Sequence, residues 1–274
     1  MAIGINTNIS SMSAMKNLGK NQKLLTKSFN RLSSGLRINT AADDAAGLAI
    51  SESMKSQIRS YSVAERNASD GVSMAQTAEG ALGEVHAVLG RMRELAMQSS
   101  NGTLSSSDRG QVNNEFTELQ SEISRIQGSA KFNGVDVIAA ATSSVSFQVG
   151  LNNDPNDRIT VGFGGVGMTQ VLAAASTAVD TATAALISLG NIDTAITAVS
   201  TSRAGFGASM NRLDVAGSNI QTMRLNLSAA SSRITDVDVA TESAALSRNQ
   251  VLTQAGISIL GQANQLPQMA FGLI

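Results

Sequence analysis

Apolar residues recur in steps of three and four over both ends of this chain and lose that rhythm in between, a pattern that folds helix against helix rather than around a sheet. Near the N-terminus the stripe passes through Leu25, Phe29, Leu32 and Leu36, then runs from Ile50, Met54 and Ile58 to Leu89, Met92 and Ala96. It returns in the last third through Ile192, Ile196, Val199, Phe206, Met210, Leu213, Ile220, Leu227 and Ile234, and resumes at Leu252, Ile259, Ala263, Leu266, Ala270 and Leu273. A seam this narrow is satisfied by a partner helix. Helical stretches of about 45 residues would each reach about 70 Å at 1.5 Å per residue. The expected fold is therefore mainly α, an elongated rod of long antiparallel coiled-coil-like helices.

Aromatic residues make up 3% of the chain, with no Trp and a single Tyr, too little bulk to fill a round interior. The formal net charge of -1 gives no polyanion-binding surface, which argues against a nucleic-acid partner. Without cysteine and with one histidine there is no disulfide framework and no thiolate or imidazole metal site, so no metal or cofactor is expected. The stretch from Met1 to Met15 has neither charge nor a continuous apolar run and lacks the parts of a secretory signal. Residues 249–274 carry no charge either. Their amides, among them Asn249, Gln250, Gln254, Gln262 and Gln268, would be costly in hydrocarbon, so no membrane span is expected there. Uncharged, amide-rich amphipathic ends fit burial against copies of the same chain, where a repeated charge would repel itself. The expected assembly interface is Leu25, Phe29, Leu32 and Leu36 with Leu252, Ile259, Leu266 and Leu273. Such ends, without a partner to offset their ordering entropy, are expected to be disordered in the free monomer.

Between the stripes, Arg37 to Asp44 breaks the first helix from a second that runs to about Ser100 despite Gly71, Gly80, Gly83 and Gly90. Ser105 and Asp108 have the spacing of a capping box before a third helix carrying Val112, Phe116, Leu119, Ile123 and Ile126. Asn133-Gly134 is a hairpin signal. Val145, Phe147 and Val149 alternate with polar residues, and Arg158 to Phe163 is a further strand, so a small β-hairpin region is expected. Residues 164–190 are a low-complexity connector of loop or weak helix, and Asn191 after Gly190 is placed to cap the returning helix. This divides the chain into a terminal-helix assembly domain, 1–43 with 235–274, and a rod domain, 44–234, that holds the helical hairpin, the β-hairpins and the connector.

No constellation supports an enzyme. Gly162 to Gly167 matches G-x-G-x-x-G, but Asp180 follows too soon for the strand-helix-strand unit that motif requires. His86 has no nucleophile or acid placed to make it a general base. Asp236, Asp238 and the acids from Asp154 to Asp157 lack the pattern of a calcium loop. Arg91 and Glu94 are spaced for an exposed i,i+3 pair.

The segment Leu32-Ser-Ser-Gly-Leu-Arg-Ile-Asn39 with Asp43-Asp-Ala-Ala-Gly-Leu-Ala-Ile-Ser51 closely resembles the N-terminal signature of bacterial flagellins. The resemblance extends through Asn6-Thr-Asn8, Gln76 to Leu82, Arg91 to Ala96 and Phe132-Asn-Gly134, then Asn211-Arg-Leu213, Ser232 to Asp236 and Gln262 to Gln268. It implies a flagellin fold without the outer variable domains, and a secreted, extracellular subunit that polymerises with itself beneath a cap after flagellar type III export. It also implies an export chaperone at the C-terminal segment, junction proteins at the filament base, and recognition by Toll-like receptor 5 at Arg91, Leu95 and Glu115. The rival readings are a hook-filament junction protein, which shares the N-terminal signature, and the helical hairpin of a signalling domain, which lacks it.

Overall fold

The computed structural model describes residues 7–138, 143–164, 166 and 177–271, the last six of these by backbone alone. Among the described residues are five long helices: α1 (Ile9–Ser34), α2 (Ala45–Ser100), α3 (Ser106–Ser129), α4 (Ala182–Thr235) and α5 (Val239–Phe271).

Local chemistry accounts for most of their ends. Asn8 caps α1 by accepting the Ser11 N–H at 3.0 Å, and Gly35 closes it in the left-handed region at φ 71, where a side chain would be strained. Leu36 therefore lies past the helix that carries Leu25, Phe29 and Leu32. Asp44 caps α2 through the Gly47 N–H at 2.9 Å. Ser105 and Asp108 form the expected capping box on α3. The returning helix α4 begins at Ala182, not after Gly190, so the expected cap at Asn191 falls inside it. Its first turns are held by burial: Ala185 and Ser188 are fully enclosed, and the Ser188 hydroxyl donates to the Ala178 carbonyl at 2.8 Å.

The β region is two hairpins. Strands β1 (Lys131–Phe132) and β2 (Val135–Asp136) are joined by Asn133 and Gly134, both at positive φ, as a tight hairpin turn demands. Strands β3 (Ser143–Gln148) and β4 (Arg158–Phe163) pair antiparallel, Val145 opposite Val161 and Phe147 opposite Ile159. This is no part of a parallel nucleotide-binding sheet. Gly165 and Gly167 of the glycine motif, with 168–176 of the connector 164–190, lie outside the described residues.

The chain forms two compact units, Met1–Ser56 with Asn226–Ile274, and Gln57–Leu225. In the second, α4 runs antiparallel to α2, tied by Arg93–Asp193, Glu79–Arg203 and Glu65–Arg224 ion pairs of 2.7, 2.6 and 2.6 Å. α3 folds back on α2, with the Arg109 guanidinium donating to the Ser99 carbonyl at 2.9 Å. Leu82, Val85, Leu89 and Met92 of α2, Phe116 and Ile123 of α3, and Ile192, Val199 and Leu213 of α4 make one core with the inward face of β4. Phe163 of β4 meets Phe206 of α4 at a centroid distance of 5.4 Å. Within α2, a Cβ on Gly47 in the first turn would meet the Asp44 and Ile38 side chains at 2.5 and 2.8 Å, and one on Gly71 would stand 3.0 Å from Leu213 and 3.1 Å from Phe147; Gly80, Gly83 and Gly90 face open space.

In the first unit, α1 and α5 form an antiparallel pair. The Asn8 amide donates to the Ala263 carbonyl at 2.8 Å near one end, and Arg31 meets Glu242 at 3.4 Å near the other.

Candidate assembly surfaces

The seam of the α1–α5 pair follows a heptad. On α1 the covered or half-covered positions are Ser11, Ala14, Leu18, Asn21, Leu25, Ser28 and Leu32, in strictly alternating steps of three and four. On α5 they include Asn249, Thr253, Gly256, Leu260 and Ala263. Small residues at these places bring the helices together: a Cβ on Gly256 would stand 3.3 Å from the Leu18 side chain. With Leu18, Leu25, Leu32 and Leu260 only half-buried among Ser, Ala, Asn, Thr and Gly, the seam encloses little apolar surface completely.

Other bulky residues point the other way. Ile9 is 76% exposed, Met12 60% and Phe29 63% on α1; Val251 is 63% exposed, Ile257 58% and Ile259 56% on α5. Met15, Leu18, Gly19 and Gln22 of α1 with Thr253, Ile257 and Leu260 of α5 line an open groove of about 380 Å³. At roughly 25 cal/mol per Å² of apolar surface withdrawn from water, such faces favour association.

The sequence-predicted stripe therefore divides. Leu25 and Leu32 are half-buried in the seam; Leu36 is half-buried beyond it; Phe29, Leu252 and Ile259 face outward. The side chain of Leu266 and all of Leu273 lie outside the described residues. Reading apolar residues alone missed half of the seam, because Asn249, Thr253 and Gly256 carry no apolar signal. The i,i+7 recurrence of Ser11, Leu18, Leu25 and Leu32 was the cue available.

The breaks after α1 and after α4 lie side by side. Leu36 bridges to Asp236; the Arg37 N–H donates to the Thr235 carbonyl at 2.6 Å and the Val237 N–H to the Gly35 carbonyl at 3.0 Å. The Arg37 guanidinium donates to the Ile234 carbonyl at 2.5 Å. Beside this stitch, Lys27 pairs with Asp43 at 2.7 Å. Its hydrogen bond, helped by the Asn39 and Thr40 N–H groups, outweighs partial burial and lowers the Asp43 pKa to about 2.

In the second unit, Arg91 bonds Glu115 across from α2 to α3 at 2.7 Å and Glu94 along α2 at 3.0 Å. The Glu115 carboxylate, then that of Glu94, raises the pKa of the guanidinium further. Arg91, Glu94 and Glu115 are exposed, whereas Leu95 is 2% exposed and packs in the core. His86 is half-buried, with its Nδ1 enclosed and without a hydrogen-bond partner among the described residues. A window of α4 is apolar enough by length and composition to cross a bilayer. Ala185, Ile192, Ala195 and Val199 of this helix are enclosed in the core, while 28% of that window is buried.

Comparison with known proteins matches these two units from both ends. The family model of the bacterial flagellin N-terminal helical region matches residues 5–143, and that of the C-terminal helical region matches residues 189–274. The chain is 44% identical over 271 residues to a flagellin of Halalkalibacterium halodurans, covering 98% of this chain and 99% of that one. It is 41% identical over 283 residues to the flagellar filament 30.7 kDa core protein of Treponema maltophilum, with the same coverage. A flagellin of Bacillus subtilis is 38% identical over 301 residues, again across 98% and 99% of the two chains. The crystal structure of Bacillus cereus flagellin superposes with a TM-score of 0.50 at 30% identity, over 61% of this chain and 94% of that one. A putative flagellar hook-associated protein from Vibrio parahaemolyticus gives 0.60 at 13% identity, over 71% and 100%, a likeness of fold alone.

Proposed function

The chain belongs to the bacterial flagellin family and is a subunit of the helical flagellar filament, and on that footing we propose how its parts serve the polymer. The terminal segments 1–43 and 235–274 form the inner assembly layer, and 44–234 the middle one. The observation that carries this is the outward set of bulky residues on α1 and α5, Phe29, Leu252 and Ile259 among them, which the isolated chain leaves in water. Repeated head-to-tail, such a contact generates an open helical lattice rather than a ring. Leu25 and Leu32 set the seam that aims those residues, Leu36 packs just beyond it, and Leu266 and Leu273 are assigned to the same interface from the sequence alone.

The subunit's role is structural, not enzymatic. It is secreted through the flagellar type III route, joins the extracellular filament beneath the cap, and is anchored at its base by junction proteins. Before export, the uncharged amphipathic C-terminal segment docks in the groove of an export chaperone. The surface at Arg91 and Glu115, with Leu95 beneath it, is the one Toll-like receptor 5 recognises on the free monomer.

Seeding purified monomer with filament fragments tests the assembly reading. Long filaments by electron microscopy, with a gain in helix by circular dichroism, are expected; monomer that stays soluble beside active seeds would overturn it. For the receptor, Arg91→Ala should weaken signalling by the monomer, and unchanged signalling would remove Arg91 from the recognition surface.

A further inference from the structure

Charge is divided between the two units as unevenly as apolar bulk. Residues 1–56 and 226–274 hold nine Lys and Arg against six Asp and Glu, an excess of three cations; residues 57–225 hold eleven against fifteen, an excess of four anions. The cationic excess is gathered on one helix. Lys16, Lys20, Lys23 and Lys27 follow one another along α1 in steps of four, three and four, a stripe about 17 Å long at 1.5 Å per residue.

Lys27 is held by Asp43, but Lys16, Lys20 and Lys23 are exposed and make no ion pair among the described residues. Nor does their own unit have a carboxylate to spare. Asp43 and Glu242 are paired to Lys27 and Arg31, and Glu52 to Lys55. Asp44 and Asp238 cap helices, and Asp236 accepts the hydroxyls of Ser232 and Thr235. Like charges at i,i+4 repel, so a stripe of this kind is relieved by anions from outside the unit.

The second unit offers a matching surface. A groove of about 390 Å³ runs between α2 and α4, floored by Ala68, Val72 and Leu213 and edged by Glu65 and Asp214. Glu65 is paired with Arg224 at 2.6 Å, whereas Asp214 is exposed and makes no ion pair among the described residues. An apolar floor with an anionic edge suits a lysine, whose methylene stem packs while its ammonium stays at the rim. Ser69, Ser73 and Gly217 along the groove leave room for a helix to approach.

We infer that in the filament the lysine stripe of α1 lies against the α2–α4 groove of a second copy, with a lysine ammonium at Asp214. The inference rests on the filament reading, since a homopolymer presents both surfaces in every copy. The contact adds register and salt dependence to an assembly driven by apolar faces.

The test uses the full chain and measures the critical concentration for seeded polymerisation by sedimentation. The charge reversal K20E/K23E should raise that concentration by about tenfold at low salt, and D214K should act in the same direction. The triple variant carrying all three changes should return to within about threefold of the starting chain, and every difference should shrink at high salt. The neutral pair K20Q/K23Q, which adds no new repulsion, should give a smaller rise. Lysine variants that polymerise like the starting chain, or a triple variant no better than K20E/K23E, would overturn the pairing. So would lysine variants that lose binding to phosphatidylglycerol vesicles while polymerising normally, since that outcome gives the stripe to a lipid surface. Failure of the unaltered chain to polymerise would instead sink the filament reading itself.

Discussion

The two units are made of the same element, the long amphipathic helix, and differ in what their helices enclose. In residues 57–225 three helices and a hairpin close around Phe116, Phe163, Leu82, Leu89, Met92 and Ile192, each fully buried. In the terminal unit the only enclosed apolar side chains among the described residues are Ile38 and Ala263, and the α1–α5 seam mixes half-buried Leu18, Leu25, Leu32 and Leu260 with Ser, Asn, Thr and Gly. The first arrangement is complete as a monomer. The second keeps its large apolar side chains for a surface, so its stability depends on what covers it. The same periodicity thus serves folding in one unit and association in the other, and the difference lies in whether the bulky positions fall on the seam or opposite it.

The sharpest way to break the comparison is to truncate one aromatic in each unit. Phe116→Ala should cost about 3–5 kcal/mol in urea unfolding of the middle unit, since it leaves a cavity in a closed core. A loss below about 1 kcal/mol would mean that core is not the stabilising one. Smaller, and also confined to the middle unit, is Gly150→Ala. A Cβ there would meet Asp157 at 2.1 Å, and the Asp157 carboxylate accepts the Asn152 N–H at 2.7 Å. The β3–β4 hairpin should lose about 1–3 kcal/mol, read from hydrogen exchange of its amides.

In the terminal unit the expected effects on the monomer are slight. The pKa of Asp43 is lowered in the folded chain to about 2 from an ordinary value of 3.8. Its contribution is therefore fully present above the unfolded value and is lost as pH falls through the folded one. With Lys27 partly in water, that contribution is at most about 1 kcal/mol. Asp43→Asn should remove it at neutral pH and flatten the acid limb of terminal-unit helicity; an unchanged limb would refute the link. Smallest of all is Phe29→Ala, expected to shift monomer stability by less than about 0.5 kcal/mol. The same change should still raise the critical concentration for polymerisation. Equal effects of Phe29→Ala and Phe116→Ala on the monomer would erase the distinction between the units.

Much of this was legible in the sequence where a signal is local. The capping box at Ser105 and Asp108, the Asn133-Gly134 turn, the alternation in β3 and the end of α2 at Ser100 each depend on a few neighbouring residues. The start of α4 was not legible: Ala182 to Leu189 is rich in the helix formers Ala and Leu, but it follows a low-complexity run, and Gly190-Asn191 reads as a break and a cap, whereas burial of Ala185 and Ser188 carries the helix through. The face of α5 that meets α1 was hidden for a related reason. Its seam is made of residues that pack by being small, and a search for apolar steps finds the opposite face first. That opposite face, carrying Leu252 and Ile259, is the one left exposed in the isolated chain.

The stitch at residues 35–37 and 235–237 has a mechanical corollary. The chain passes between its two units twice, once along α2 and once along α4, and inside the terminal unit the segment leading into α2 is tied by backbone hydrogen bonds to the one leaving α4. Tension applied to one unit is shared by two covalent strands in parallel, and a nick in either leaves the other to carry the load.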